Sequence, residues 1–179
     1  MTATAGALRQ VQAAGRVREV AVPSTARALC TLTRVSYQDA FTVEVDSAKE
    51  RTAEQWARAI LGQVPISIRS SLLSGWSALG LKLGPPWSNR YVLGWNVRKS
   101  TPDYVLLGAE SRIGMPAELL LKRNRRSLLF ATFVQQDNAI ASAAWTGIEP
   151  VHKRVVPELL ARFIRSAGRS EPATNIPEG

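Results

Sequence analysis

The sequence predicts a single α+β domain in which a curved antiparallel sheet, formed largely by residues 90–149, closes around one long C-terminal helix. Three observations carry this reading. Val156, Leu159, Leu160, Phe163, Ile164 and Ala167 recur at the spacing of one helix face, downstream of Pro150. Five apolar segments between Tyr91 and Ile148 are separated by short turn signals, as in an antiparallel meander. Upstream, Phe41, Val43 and Val45 alternate with Thr42 and Glu44, the period of a half-buried strand.

The bulk properties suit such a domain. The chain has 179 residues, 45% of them hydrophobic and 21% charged, enough to bury a sizeable core. No apolar run approaches the length of a bilayer span. The first residues lack a charged start followed by an apolar stretch of about 7–15 residues, so no secretory signal is expected. The single cysteine, Cys30, rules out an internal disulfide and fits a reducing cytoplasm. One Cys and one His fall short of an ordinary structural zinc site. Gly75, Gly80 and Gly84 lie in the wrong context for a phosphate-binding loop, so no cofactor is expected.

The net charge is +9, and its distribution matters more than its size. Residues 1–36 hold five basic and one acidic residue, residues 37–111 eight and seven, and residues 112–179 ten and six. The excess therefore sits at both ends of the chain. A nucleic-acid binder concentrates it on one face, and this pattern argues against that partner.

In chain order, residues 1–33 read as an N-terminal arm with a short helix at Thr25–Leu29, opened by Pro23 and Ser24. The domain proper is expected over residues 34–168. A strand begins at Tyr37. Thr52 and Gln55 form a capping box for a helix that carries Trp56, Ala59 and Ile60 on one face. Pro65 restarts a second helix with Ile68, Leu72, Leu73, Trp76 and Leu79 at helical spacing. Gly80–Ser88 holds two Gly and two adjacent Pro and reads as a loop. The strands of the meander are expected at Tyr91–Arg98, Tyr104–Ser111, Pro116–Arg123, Ser127–Gln135 and Ala139–Ile148, with Asp137-Asn138 as the last hairpin turn. Ser127–Gln135 is apolar on both faces, so both faces of the sheet should be covered there. The long helix is expected from Pro150 to about Ala167, with Pro157 either in its first turn or bending it, and Gly168 as its cap. Residues 169–179 read as a disordered tail.

The order strand, two helices, meander, long helix resembles the helix-grip fold of the START-related lipid-transfer and polyketide-cyclase superfamily, over roughly Arg34 to Ala167. Four strings resemble a bacterial family of uncharacterised domains, found alone or fused behind an NAD(P)-binding domain. They are Tyr37-Gln38-Asp39-Ala40-Phe41, Trp56-Ala57-Arg58-Ala59-Ile60-Leu61-Gly62, Leu79-Gly80-Leu81-Lys82, and Pro150-Val151-His152-Lys153-Arg154-Val155-Val156-Pro157. The segment Ala117-Glu118-Leu119-Leu120-Leu121 is plainer than the aspartate- and arginine-bearing strand of that family. The resemblance implies a cavity between sheet and C-terminal helix that holds a small hydrophobic or amphipathic molecule.

Residues expected at such a cavity are Trp95, Tyr104, Phe130 and Trp145 from strands, with His152 and Leu160 from the helix. His152, the only histidine, is the one side chain placed for acid–base work at neutral pH, or else a histidine that caps the helix start or is hydrogen-bonded beneath it. Glu110 and Glu118 fall on neighbouring strands near Arg98 and Arg112. They form either an outward ladder of opposite charges or, for Glu110 in an apolar cavity, an acid with a raised pKa. Lys122-Arg123-Asn124-Arg125-Arg126 places four cations in a hairpin tip, suited to phosphates or an anionic membrane and equally to a solvated turn. The leading expectation is a ligand-binding domain. The alternatives are an enzyme of cyclase or dehydrase type using His152 or Glu110, and a basic nucleic-acid or membrane-surface binder.

Overall fold

Apolar side chains on both sides of successive strands force a layered structure. A computed structural model describes residues 17–45 and 48–167. The arm over residues 1–16, the cap at Gly168 and the tail at 169–179 lie outside these residues. The described chain runs β1 (Val17–Val20), α1 (Ser24–Arg27), β2 (Tyr37–Glu44), a 3-10 turn (Ala48–Glu50), α2 (Ala53–Gly62), α3 (Ile66–Ala78), β3 (Leu81–Lys82), β4 (Tyr91–Val92), β5 (Trp95–Ser100), β6 (Tyr104–Ser111), β7 (Ala117–Arg123), β8 (Ser127–Val134) and α4 (Ala139–Ala167). The eight strands form one antiparallel, curved sheet in the order β1-β2-β8-β7-β6-β5-β4, with β3 added on β6. β2 therefore pairs with β8, Tyr37 opposite Val134 and Phe41 opposite Phe130, which joins the early strand to the meander.

Side-chain parity sorts the two faces. Phe41 and Val43 of β2, Val105 and Leu107 of β6, Leu119 and Leu121 of β7, and Leu128 and Phe130 of β8 point inward. There they meet Trp56 and Ile60 of α2 and Leu160 and Phe163 of α4. The opposite face carries Ala40, Leu106, Leu120, Leu129, Ala131 and Phe133. It is covered by Val20, Val22, Ala26, Leu29, Leu32 and Val35 from the N-terminal segment. Both faces are thus covered at β8, as its double-sided pattern requires. From residue 17 onward, the segment expected as an arm supplies an edge strand and the outer cover of the sheet.

The capping box at Thr52 forms as its spacing dictates. The Gln55 backbone N–H donates to Thr52 Oγ1, and the Thr52 N–H donates to Gln55 Oε1 at 2.8 Å. One turn later, Arg58 donates to the backbone carbonyls of Asn89 at 2.6 Å and Tyr91 at 2.9 Å while paired with Glu54. This ties the Pro85–Arg90 loop to α2. Arg58→Ala is expected to cost about 1–2 kcal/mol and to speed amide exchange in residues 83–92. A variant with unchanged loop exchange would remove this role from Arg58.

The structure corrects several predicted elements; the strand expected at Tyr91–Arg98, for one, is the hairpin of β4 and β5. Residues 139–148 are not a fifth meander strand but the first ten residues of a 29-residue α4. The run Ala139-Ile140-Ala141-Ser142-Ala143-Ala144 favours helix because Ala has the highest helix propensity. Ala141, Trp145, Ile148 and His152 then fall on one helical face. Asp137-Asn138 is accordingly a helix start rather than a hairpin turn: the Ala141 N–H donates to Asn138 Oδ1 at 2.9 Å. Pro150 and Pro157 both lie inside α4, each forfeiting one i→i−4 backbone bond. The loop expected over Gly80–Ser88 also contributes β3, with Leu81 opposite Ser111.

Candidate functional site

The helix α3 is unusual in its burial. α3 has no buried residue, although Leu72, Leu73, Trp76 and Leu79 rest partly on the core. Its apolar stripe instead faces α4 across a groove of about 400 Å³. Ile68, Leu72, Trp76 and Leu79 line one wall, and Trp145, Ile148, Val151 and Val155 the other, with His152 among them. The volume is within the range of small-molecule sites, and the lining is apolar with a few convergent polar groups.

His152 is held by a partner that lies 113 residues away in sequence. Its Nε2 is 3.0 Å from Asp39 Oδ2, and the Tyr37 hydroxyl donates to the same oxygen at 2.8 Å. Asp39 belongs to the inward parity of β2, between Tyr37 and Phe41, and is only 5% exposed. Burial alone would raise its carboxyl. The hydrogen bond and charge of His152, with the Tyr37 hydroxyl, outweigh that and hold it below the ordinary carboxylate range. Tyr37 is shifted the other way, first by burial and then by its bond to Asp39, so its hydroxyl stays protonated. An ionised Asp39 can only accept, which fixes the His152 proton on Nε2. The other ring nitrogen, Nδ1, has no hydrogen-bond partner among the described residues. Trp145 packs against both rings, 4.6 Å from Tyr37 and 5.3 Å from His152 between centroids. Its own Nε1–H is buried without a partner among the described residues.

The expected cavity residues divide accordingly. Trp145 and His152 line the groove, Trp145 from a helix rather than a strand. Trp95 backs Trp76 in an edge-to-face contact at 5.4 Å, while Phe130 and Leu160 are packed in the inner core away from the groove lining. Tyr104 belongs to the outer cluster and cannot share a site with His152. Glu110 is also on the outer side, 68% exposed and paired with Arg98 at 2.5 Å, so it is no acid in an apolar cavity. The parity of β6 explains both: Val105, Leu107 and Ala109 take the inward positions.

The outer face holds its own polar cluster. The Glu118 side chain is fully buried, accepting from Arg98 Nη1 at 2.7 Å, from the Thr31 backbone N–H at 2.8 Å and from the Thr31 hydroxyl. Arg98 reaches it from β5 by lying across Gly108 of β6, where a Cβ would stand 1.9 Å from Arg98 Nε. Every partner of this carboxylate is internal, which marks it as a clamp that seats residues 29–32 on the sheet. Cys30 joins the same cluster, and burial followed by its hydrogen bond with Glu118 pushes the thiol up to about 11. The basic hairpin tip is partly consumed by the fold, because Arg123 donates to Asp103 at 3.1 Å and to the carbonyls of Lys49 and Arg51.

Among the described residues, no helix is long and apolar enough to cross a membrane, and no group of three or more His, Cys, Asp or Glu is placed to hold a metal ion. Comparison with family models, with curated proteins and with solved structures gives no match.

Proposed function

We propose that this chain is a helix-grip domain of the START-related type that binds a small hydrophobic or amphipathic molecule. The binding site is the groove between α3 and α4, with the polar end of the ligand at His152. One observation carries the reading. No side chain of α3 is fully buried, and Ile68, Leu72 and Trp76, with Leu79 at the end of the helix, line a groove whose other wall on α4 is equally apolar. A half-buried apolar stripe facing a second apolar wall is costly in water and is characteristic of a ligand groove. The order of strands and helices supports the superfamily assignment, as do the four resembling strings.

Ile68→Asp tests the groove cleanly, because Ile68 lines it without packing on the core. The substitution should change stability by no more than about 0.5 kcal/mol. It should weaken binding of a polarity-sensitive apolar dye by at least about tenfold, the scale of placing a charge where an apolar contact stood. Undiminished dye binding in the variant would sink the proposal. Native mass spectrometry of the purified protein, searching for a retained small molecule, is the direct companion measurement.

A second reading has one observation in its favour. Asp39 orients His152 so that the free Nδ1 carries the available lone pair, an arrangement suited to a general base acting on a molecule in the groove. Loss of turnover in His152→Gln with ligand binding retained would separate this reading from simple binding.

A further inference from the structure

Gly75 lines the groove although nothing in the fold asks for a glycine there. It lies inside α3, with Ser71 one turn before it and Leu79 one turn after it, and both of these also line the groove. Its backbone is helical, unlike that of Gly80 and Gly94, whose φ values are 74° and 86°. A Cβ built at Gly75 would meet no atom within 4 Å, so no close neighbour excludes a side chain. In a helix interior glycine is less favourable than alanine, because it gives up more backbone freedom on folding. An alanine would therefore fit and would stabilise the unliganded protein. What its methyl group would take away is space at the α3 wall of the groove.

The lining around that space is apolar. Trp76 is the next residue, and Trp145 lines the same groove from α4. The Ser71 hydroxyl donates to the Ser67 carbonyl at 3.0 Å, so it is turned onto its own helix. The other lining residues of α3 all carry side chains, which leaves Gly75 as the place where a ligand can reach the helix backbone. A flexible chain can bend around an added methyl group, whereas a rigid flat body loses the contact along its whole face.

We propose that Gly75 is the specificity-determining residue of the groove: it leaves the α3 backbone bare so that a ligand with a rigid, flat apolar body can seat against it. This inference rests on the groove being a ligand site. The helix stability given up at Gly75 is then exchanged for binding, a trade common at functional positions.

The test compares two neutral alcohols of similar size, 2-naphthylmethanol and 1-decanol, by calorimetry. The natural protein, Gly75→Ala and Gly147→Ala are titrated with each. Gly147 is the control: it lies inside α4, a Cβ there would also meet no atom within 4 Å, and it does not line the groove. Each alanine should raise the midpoint of thermal unfolding by about 1–4 °C. Gly75→Ala should weaken 2-naphthylmethanol binding at least about tenfold, the scale of one methylene group in a fitted pocket. It should weaken decanol binding by less than about threefold, because the chain repacks. Gly147→Ala should leave both affinities unchanged. A lowered unfolding midpoint in Gly75→Ala overturns the assignment, because the fold then requires the glycine. A loss no larger for 2-naphthylmethanol than for decanol also overturns it, while leaving the groove as a binding site. Failure of the natural protein to bind either alcohol overturns the assignment together with the groove reading.

Discussion

Arg98→Ala is expected to destabilise the protein by about 3–5 kcal/mol, a large fraction of the stability of a domain this size. The cost is not the worth of one ion pair. Glu118 is fully buried, and removing the guanidinium leaves its charge with only the Thr31 N–H and hydroxyl for compensation. The Glu110 pairing of the same arginine adds little, because Glu110 is largely solvated. Two further variants separate the causes. Glu118→Leu combined with Arg98→Met removes both charges and fills the space with apolar volume, and it should recover most of the loss. Gly108→Ala should behave like a mild form of Arg98→Ala, since its methyl group occupies the path of the guanidinium. Urea unfolding followed by tryptophan fluorescence reads all three. A loss below about 1 kcal/mol for Arg98→Ala, the level of an exposed pair, would show that Glu118 is hydrated and the clamp is not formed.

Much of this fold can be read where the signal is local. The capping box at Thr52 and Gln55, the alternation of β2 and the two-sided pattern of β8 each follow from residues within a few positions of one another. The segment 139–148 was legible too, but only to the right period. Read as alternation it gives a strand, whereas Ala141, Trp145, Ile148 and His152 at helical spacing give the first turns of α4. The site was harder for a different reason. His152 and Asp39 are 113 residues apart, and Thr31 and Glu118 are 87 apart, so their pairing depends on how the sheet is ordered. A partial signal was nonetheless present in both strands. Asp39 shares the inward parity of Tyr37 and Phe41, and Glu118 shares the outward parity of Leu120. A carboxylate on an apolar face must find a partner or lose its charge, which singles out those two positions over Glu110. The groove had no such signal. The stripe on α3 has the spacing of any core-facing helix, and nothing in its periodicity distinguishes packing on a sheet from facing an open wall.

Asp39→Ala is the second large effect, with an expected cost of about 2–4 kcal/mol. The substitution removes the acceptor shared by His152 and Tyr37 and leaves both donors in a buried setting. Asp39→Asn keeps the shape and isolates the charge. Because the folded-state carboxyl lies below its ordinary value of about 4, the ionised form is the one the native state favours. Its contribution is therefore fully present above that ordinary value and declines as pH falls through the depressed folded value. The stability gap between the natural protein and Asp39→Asn should accordingly be constant above about pH 5 and close steadily below about pH 4. A gap independent of pH down to acid unfolding would mean that the Asp39 carboxyl is not held ionised by His152 and Tyr37.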